Sequence, residues 1–323
     1  MMRAVVLDAP GPPEALHIRD VHIPSPTIGE VLIEVEAFGL NRSELHTRLG
    51  LAEGVTFPRV LGIEATGTVV ECPGAELPPG TQVMTMMGGM GRTFDGGYAE
   101  FVCVPVGQVL AFTSSLPWAV LGAVPEMLQT AYGSLTVGLD MQPDQWLLVR
   151  GGTSSVGMTA AILAKQHGLH VVATTRNAGK VADLRAIGVE EVVIDDGVIA
   201  DRVRQVVPAG VDIALELVGT STLRDTLAST RTHGTVCFTG MLSNEWIVHE
   251  FYPIDYLPTG VRLTAYSGDA TDLPVDVLQR FLDDVAAQTI QVPVARTYRF
   301  DDIQQAHRDM EADAVAGKLV VIP

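Results

Sequence analysis

The sequence contains few cysteines and few basic residues. Only three cysteines occur in 323 residues, and Cys72, Cys103 and Cys237 are widely separated. Such isolated cysteines form neither a disulfide framework nor a zinc knuckle, and they are typical of a reducing compartment. Lys and Arg number 21 against 38 Asp and Glu, which leaves a net charge of −17. This balance argues against a nucleic-acid-binding protein, because phosphate backbones require a basic face.

Targeting and membrane features are also lacking. The chain shows no basic-then-apolar leader at its start and no apolar run of membrane-spanning length. Hydrophobic residues make up 47% and charged residues 18% of the chain, which argues against disorder. We therefore expect a cytoplasmic protein with about two domains and large hydrophobic cores.

The most informative segment that is present is a loop of small residues, Arg150-Gly151-Gly152-Thr153-Ser154-Ser155-Val156-Gly157. An apolar run before it resembles a buried parallel strand, and the residues after it show helical spacing. A strand, a glycine-rich turn and a helix present backbone N–H groups to an anion, typically a pyrophosphate. Further strand-like runs follow, mostly separated by helical stretches: His170–Thr175, Glu191–Ile194, Val211–Glu216, Gly234–Gly240 and Val261–Ser267. This alternation predicts a doubly wound parallel sheet that binds a dinucleotide.

The chain before this loop has a different pattern. Short strand candidates are divided by proline and glycine turns, which is typical of an all-β, barrel-like domain: Ala4–Leu7, Glu30–Ala37, Thr66–Cys72, Val83–Met87 and Tyr98–Val104. Helices are predicted at Pro117–Leu121, Pro125–Val137, Pro274–Gln288 and Asp301–Met310. A closing strand at Lys318–Ile322 is expected to return to the first domain. The predicted domains are residues 1–120, completed by 272–323, and residues 121–271.

Several motifs outside the loop carry a family resemblance: Met2-Arg3-Ala4-Val5, Gly29–Ile33, Ala37–Leu45, Pro58–Gly67, Phe94–Glu100 and Gly317–Val321. With these motifs the chain resembles a medium-chain dehydrogenase/reductase, specifically the zinc-independent quinone oxidoreductase branch. The resemblance covers nearly the whole chain. It implies an α/β protein made of a GroES-like β-barrel domain and a Rossmann nucleotide-binding domain, with the active site between the two domains.

The resemblance also implies that no metal is used. Zinc-using relatives carry ligands at positions that correspond here to Asn41, Ile63 and Glu126. A catalytic zinc requires three N, S or O ligands, but Asn41 is a poor ligand and Ile63 has no ligating atom. The region from Met84 to Phe101, which would hold a second, structural zinc, contains no cysteine.

Candidate catalytic residues come from the same resemblance. Asn41 corresponds to an asparagine that can orient a substrate carbonyl or the nicotinamide. Ser43 and His46 occupy positions that relay a proton in zinc alcohol dehydrogenases. The alternative is that His46 lies on a short surface helix and has no chemical role. Four methionines, Met84, Met86, Met87 and Met90, either line the substrate region or fill the core. Arg92 either meets the polar end of a substrate or faces solvent.

The predicted cofactor is NADPH rather than NADH. NAD-specific folds place an acidic residue about 20 residues beyond the glycine loop, where it binds the ribose hydroxyls. No acid lies between Leu169 and Val181, whereas Thr174, Thr175, Arg176 and Lys180 can surround a 2′-phosphate. The full predicted cofactor site is Asn41, Thr130, Gly151, Thr153, Ser154, Ser155, Val156, Gly157, Thr175, Arg176, Lys180, Gly219, Gly240, Leu242 and Lys318.

The favoured function is hydride transfer from NADPH to a quinone or an α,β-unsaturated carbonyl compound. No motif for a covalent nucleophile is present. A 2-enoyl thioester reductase of the same superfamily is the alternative enzyme, and a non-catalytic, crystallin-like NADPH-binding protein is the alternative of another class. The expected partners are a small-molecule substrate and a second copy of the chain. Val261–Tyr266 is expected to lie at a sheet edge, and such an edge favours a homodimer.

Overall fold

The chain divides into two compact units in a computed structural model that describes residues 1–313 and 315–323. Unit 1 comprises Met1–Gln129 and Asp269–Pro323, and unit 2 comprises Thr130–Gly268. The sequence predicted divisions after residues 120 and 271, and the structure has them after residues 129 and 268.

The secondary structure follows the chain in this order. The strands are β1 (Met2–Leu7), β2 (Leu16–Val21), β3 (Glu30–Gly39), β4 (Arg59–Val60), β5 (Glu64–Glu71), β6 (Gln82–Met86), β7 (Phe101–Pro105), β8 (Val109–Ala111), β9 (Trp146–Arg150), β10 (His170–Thr175), β11 (Glu191–Ile194), β12 (Val211–Glu216), β13 (Thr230–Phe238), β14 (Arg262–Ala265), β15 (Val294–Arg299) and β16 (Lys318–Ile322). The α-helices are α1 (Arg42–Arg48), α2 (Trp118–Leu121), α3 (Val124–Gly133), α4 (Ser155–Gln166), α5 (Val181–Ala186), α6 (Ala200–Val206), α7 (Thr220–Ser229), α8 (Pro253–Tyr256), α9 (Val275–Ala286) and α10 (Ile303–Glu311). Short 3₁₀ turns occupy Pro13–Ala15, Val106–Gln108, Ala178–Lys180, Ala270–Asp272 and Phe300–Asp302, and a π-helical turn occupies Ser134–Gly138.

Unit 1 is built on two sheets. The larger sheet has the order β15-β16-β3-β5-β6-β8, with β7 also paired to β3, and the smaller has the order β2-β1-β4. The C-terminal strand β16 runs antiparallel to β3, with Val320 opposite Gly39 and Val321 opposite Phe38. Strands from both ends of the chain therefore share one sheet. Their apolar side chains form one core, in which the rings of Phe38 and Tyr98 stack with centroids 4.6 Å apart.

The glycine-rich loop between β6 and β7 packs directly against the backbone at the start of β5. A Cβ on Gly96 would lie 2.2 Å from the carbonyl oxygen of Gly62, and a Cβ on Gly97 would lie 2.2 Å from that of Glu64. Only glycine allows this approach, so these two residues hold the β6–β7 loop against the start of β5. The loop and Glu64 belong to the candidate site described below.

Unit 2 is a six-stranded parallel sheet with the order β11-β10-β9-β12-β13-β14. The strand order reverses beside β9, and doubly wound sheets bind their ligands at this point, beyond the carboxyl ends of the strands. All six strands were predicted from the sequence. Strand β13 begins earlier than predicted, at Thr230, and a register shift separates that start from its main pairing.

Other differences from prediction concern short elements. The helix predicted at Pro125–Val137 is α3 followed by the π-helical turn, and the short strands β2, β4, β8 and β15 were not predicted. Among the described residues, we find no helix whose length and apolar character would allow it to cross a membrane.

Candidate active site

The loop after β9 is closed by hydrogen bonds of its own. Gly151 has a φ of +86°, which favours glycine. The Ser154 hydroxyl donates to the Gly151 carbonyl oxygen (2.8 Å) and accepts the N–H of Gly157 (3.1 Å), so it caps helix α4. A Cβ on Gly157 would lie 2.6 Å from the Gly151 oxygen, so a larger residue does not fit there.

The N–H groups of Ser155 and Val156 are available as hydrogen-bond donors to an anion. These are the first two residues of the twelve-residue helix α4, where no carbonyl of the helix itself precedes them. Among the hydrogen bonds of residues 1–313 and 315–323, none has either N–H as its donor. Both lie at the positive end of the helix dipole, which suits a phosphate group.

A buried ion pair holds this loop in place through a hydrogen-bonded threonine. The Gly151 N–H donates to the Thr174 hydroxyl oxygen (3.0 Å), and Thr174 donates in turn to Asp195 (3.3 Å). Asp195 receives two bonds from the fully buried Arg150, at 2.9 and 3.0 Å. Burial acts to raise the pKa of Asp195, but its hydrogen bonds to Arg150 hold that pKa below its ordinary value. Gly151 is therefore linked through Thr174 to the Arg150–Asp195 ion pair.

A second buried carboxylate, Glu216, lies at the end of β12. One of its oxygens accepts the N–H groups of Val218 (2.7 Å) and Gly219 (3.1 Å) and the Thr222 hydroxyl (3.0 Å). Burial raises the pKa of Glu216, although the Thr226 hydroxyl, the Arg150 charge and the two N–H groups act in the opposite direction. The N–H of Gly219, a predicted cofactor residue, is thus engaged with Glu216.

The turn after β10 carries the residues predicted to bind a 2′-phosphate. The Thr175 hydroxyl accepts the Asn177 N–H at 3.2 Å, and Asn177 accepts the Gly179 N–H at 2.8 Å. Arg176 is exposed on this turn, whereas the Lys180 side chain is mostly buried. The turn is therefore ordered by its own bonds and presents the Arg176 guanidinium on the surface.

Of the other predicted cofactor residues, Leu242 packs against the loop. A Cβ on Gly151 would lie 3.0 Å from Leu242 Cδ1, and the Leu242 N–H donates to the Leu217 carbonyl oxygen at 3.1 Å. Gly240 donates to the Glu216 carbonyl oxygen at 3.1 Å. Thr130 is buried, and Thr153 is partly exposed in the loop itself.

In unit 1, a buried ammonium joins several predicted residues. Lys318 Nζ lies 2.7 Å from Glu64 Oε1 and 3.2 Å from Glu126 Oε2, and it also donates to Asn41 Oδ1. The Asn41 amide N–H donates to Glu64 (2.9 Å) and, more weakly, to Glu44 (3.4 Å). Both polar ends of Asn41 are thus engaged within the cluster, and Lys318 is fully buried there.

Glu44 completes this cluster. Its carboxylate accepts the N–H of Asn41 (3.0 Å) and the N–H of Ile63 (2.9 Å), and the first of these bonds belongs to the capping box of helix α1. Complete burial raises the pKa of Glu44 to about 7, and the Ile63 N–H opposes this shift. Ile63 therefore contributes only its backbone to the cluster.

These contacts test whether the residues at the zinc-ligand positions could bind a catalytic zinc ion. The ammonium of Lys318 contacts oxygen atoms of Asn41 and Glu126, two of the three residues at zinc-ligand positions, and the third, Ile63, has an aliphatic side chain. Within the part of the chain that the structure describes, no group of three or more His, Cys, Asp or Glu side chains could hold a metal ion. The residues present do not fit a catalytic zinc.

Helix α1 carries the remaining catalytic candidates. Ser43 Oγ accepts a hydrogen bond from Arg92 Nη2 at 2.6 Å. His46, one helical turn later, is 5% exposed, and every residue from Glu44 to Arg48 is buried, so α1 is not a surface helix. Met84, Met86 and Met90 are buried, whereas Met87 is partly exposed with a φ of +62°. Three of the four methionines therefore fill the interior of unit 1.

Sequence reasoning did not identify the roles of Glu44, Arg150 and Asp195. A signal was present for Arg150, since it ends the apolar strand Trp146–Val149, and Lys318 likewise begins the apolar strand β16. A charged residue within a buried strand needs a partner of opposite charge. For Glu44, the Asn41-x-x-Glu44 spacing is that of a capping box and signals the bond to the Asn41 N–H, but nothing local indicates the bond to the Ile63 N–H.

Comparisons with known proteins bear on both units. Residues 27–114 match the family model described as an alcohol dehydrogenase GroES-like domain, and residues 187–321 match that of a zinc-binding dehydrogenase. The chain is 30% identical, over 50% of its length and 49% of the relative's, to a zinc-type alcohol dehydrogenase-like protein of Schizosaccharomyces pombe. It is 23% identical to a putative quinone oxidoreductase of Bacillus subtilis over 95% of this chain and 94% of that protein. A mycobacterial protein solved in complex with NADPH is similar in structure, with a TM-score of 0.87, 26% identity and complete coverage of both chains.

Proposed function

Because this chain belongs to the medium-chain dehydrogenase/reductase superfamily, in its quinone oxidoreductase branch, we propose that it is an NADPH-dependent reductase of quinones or α,β-unsaturated carbonyl compounds. The observation that carries this proposal is the loop after β9, whose donors at Ser155 and Val156 suit a pyrophosphate. A reductase that uses no covalent nucleophile needs mainly to bind its cofactor, orient the acceptor and exclude competing reactions.

NADPH fits the residues of unit 2. The absence of a side chain at Gly151, Gly152 and Gly157 lets the backbone of the loop come close to a ligand and to helix α4. The exposed Arg176 guanidinium suits a 2′-phosphate, whereas the buried Thr175 hydroxyl donates to the Asn177 carbonyl oxygen (3.2 Å) and so shapes the turn; the acid at Asp195 is already bonded to Arg150. When bound, NADPH supplies the hydride. The remaining predicted contacts, Thr130, Thr153, Lys180, Gly219, Gly240 and Leu242, shape the rest of the cofactor site in this proposal.

The catalytic candidates of unit 1 have separate roles in this proposal. Ser43 and His46 lie three residues apart on α1 and thus on one helix face, where they supply a proton to the reduced acceptor. Both ends of the Asn41 amide are bonded to the buried cluster, so Asn41 holds the first turn of α1 in place. Lys318 acts through the same cluster, because its ammonium binds Asn41 rather than reaching outward.

The proposal includes activity without zinc. A dication beside Asn41 and Glu126 would lie next to the Lys318 ammonium, and two like charges in a buried site repel strongly. Purified protein is therefore expected to contain far less than one zinc per chain and to keep its turnover in a chelator. Stoichiometric zinc that is lost together with activity would contradict this part of the proposal.

The decisive experiment measures NADPH oxidation with a panel of quinones, enones and enoyl-CoA thioesters. We expect turnover with quinones or enones, and none for a Gly157→Val control, whose side chain cannot fit beside Gly151. Faster turnover with enoyl-CoA would favour the alternative, a 2-enoyl thioester reductase. Tight NADPH binding without turnover of any acceptor would instead favour a non-catalytic, crystallin-like NADPH-binding protein.

We also propose that two copies of the chain pair through β14. This strand lies at the edge of the six-stranded sheet and its residues are partly exposed, so its backbone can pair with a second strand. Pairing across a two-fold axis would extend the sheet. Light scattering at micromolar concentration is expected to give the mass of two chains, and Leu263→Pro should give the mass of one. A single-chain mass for the unmodified protein would refute the dimer.

A further inference from the structure

Arg92 is a partly shielded arginine of unit 1 that forms no ion pair with a carboxylate of the described residues. Arg48 pairs with Glu311 and Arg59 pairs with Asp95. Among the ion pairs of residues 1–313 and 315–323, none includes Arg92, which is only partly exposed. A guanidinium shielded from water without a counter-charge is unfavourable unless an anion is recruited.

Its hydrogen bonds are also incomplete. Arg92 Nη2 donates to Ser43 Oγ at 2.6 Å, but Nε is buried and has no hydrogen-bond partner. A buried N–H of a charged group that lacks an acceptor costs more than a neutral one. The side of the guanidinium that contains Nε is therefore suited to an additional acceptor.

The Ser43 hydroxyl adds a donor of its own. Its oxygen accepts the bond from Arg92, so its single proton is directed to another group. Together, the two side chains offer N–H and O–H donors and one positive charge, and they offer no strong acceptor. The ligand that matches this arrangement is an anionic oxygen.

The loop fixes the position of Arg92. Met90 before it is buried, and a Cβ on Gly91 would lie 2.9 Å from the Gly62 nitrogen. The Arg92 N–H donates to the Gly89 carbonyl oxygen at 3.1 Å. With the backbone fixed and Nη2 bonded to Ser43, the guanidinium loses little conformational entropy when it binds a ligand.

We propose that Arg92 and Ser43 bind an anionic oxygen of the substrate, an inference that rests on the reductase function proposed above. One source of this oxygen is a permanent carboxylate on the acceptor. The other is the reacting carbonyl: hydride adds to the carbon β to the carbonyl, the electron pair of the C=C bond shifts, and the carbonyl oxygen becomes an enolate. NADPH is oxidised to NADP⁺ in this step, and the enolate later takes a proton from solvent or a side chain.

The test compares benzoylacrylate with its uncharged amide as acceptors, in wild type, Arg92→Met and Arg92→Lys. The matched control is Arg280→Met, which removes an exposed arginine of α9 that pairs with Asp276. If the site binds a permanent carboxylate, wild type should prefer the acid over the amide by about tenfold or more in kcat/KM. Arg92→Met should abolish this preference by raising KM for the acid. If the bound oxygen is instead that of the reacting carbonyl, Arg92→Met should lower kcat about tenfold or more for both acceptors, with KM little changed. In either case, Arg92→Lys should have kinetic constants between those of wild type and Arg92→Met.

Unchanged kcat and KM for both acceptors in a folded Arg92→Met would overturn the proposal, and thermal unfolding checks the fold. If that variant does not fold, Arg92→Lys decides by the same criteria. Calorimetric titration of the NADP⁺-loaded protein with the acid and the amide separates this inference from the reductase function. A preference for the acid that depends on Arg92 supports the site even if turnover fails, and equal binding of both compounds together with unchanged kinetics argues against it.

Discussion

The ammonium of Lys318 lies 2.7 Å from the Glu64 carboxylate, and both side chains are fully buried. The two residues come from strands β16 and β5, each of which follows a glycine-containing turn. Burial acts to lower the pKa of Lys318, but the carboxylates of Glu64 and Glu126 raise it above its ordinary value, so the ammonium stays charged. The first and last parts of unit 1 are thus joined by a charge pair that water does not screen.

Replacing Lys318 is expected to destabilise the protein strongly. Lys318→Met leaves Glu64 buried without its cation, and breaking such a pair costs about 3–5 kcal/mol of unfolding free energy. Lys165→Met is the matched control, because the Lys165–Glu190 pair is about one-third exposed and its loss should cost less than about 1 kcal/mol. Urea unfolding of both variants measures the difference. Equal losses would show that the buried pair has no special role.

Glu44 is expected to make stability depend on pH. Its folded pKa, about 7, exceeds the ordinary value of 4.5, so between these values the native state binds more protons than the unfolded state. Glu44 should therefore make the free energy of unfolding fall as pH rises from 4.5 to 7, by at most about 3 kcal/mol, and Glu44→Gln should make this slope shallower; the raised pKa values of Glu64 and Glu216 leave a remaining slope of the same sign. Chemical unfolding of both proteins across that range is the measurement. Parallel pH profiles would contradict the assignment.

Thr174 is expected to control cofactor affinity without touching the cofactor. Thr174→Val deprives Gly151 of its acceptor and Asp195 of a donor, so the loop is held less firmly. We expect the dissociation constant of NADPH to rise about tenfold, which corresponds to one buried hydrogen bond. Thr174→Ser keeps the hydroxyl and should bind NADPH within about twofold of wild type. Fluorescence titration distinguishes the two variants, and equal affinities would remove Thr174 from this role.

Arg176 is expected to determine the preference for NADPH over NADH. Arg176→Ala should reduce kcat/KM for NADPH about ten- to a hundredfold, because a charge-assisted contact to the 2′-phosphate is lost. The value for NADH should change little. Arg185→Ala, another exposed arginine of the same unit, which donates to the Glu190 carbonyl oxygen, is the control. Steady-state kinetics with both cofactors tests this, and equal or better efficiency of wild type with NADH would be decisive against it.

Asn41 is expected to affect turnover more than cofactor binding. Asn41→Ala removes bonds to Lys318 and Glu64 and weakens the cap of α1, which carries Ser43. Turnover should fall roughly a hundredfold, because a shifted α1 misplaces Ser43, with NADPH affinity nearly intact. Asn41→Ser restores a capping oxygen but not the amide links, so it should remain impaired. Paired kinetics and NADPH titrations provide the readout, and undiminished turnover of Asn41→Ala with every acceptor would exclude Asn41 from the machinery.

Much of the architecture followed from the sequence because the determinants are local. Alternating apolar strands and helical runs, with glycine at Gly151 and Gly157, are sufficient to predict the parallel sheet and its ligand-binding end. The family motifs extended this prediction to the β-rich unit. Short, polar strands such as β2 and β15 were not predicted, because their pairing depends on neighbours that are remote in sequence.

The sequence by itself determined the fold class and the position of the nucleotide loop, since the hydrophobic period, the turn residues and the alternation of strands and helices are encoded in short stretches of chain. Tertiary structure alone decided which buried charges meet: Arg150 with Asp195, Lys318 with Glu64, and Glu44 with the Ile63 backbone. It also left Arg92 without a carboxylate among the described residues. The physical reason is that a charge excluded from water must be compensated by whichever group the packed chain brings near, and that group has no fixed spacing in the sequence.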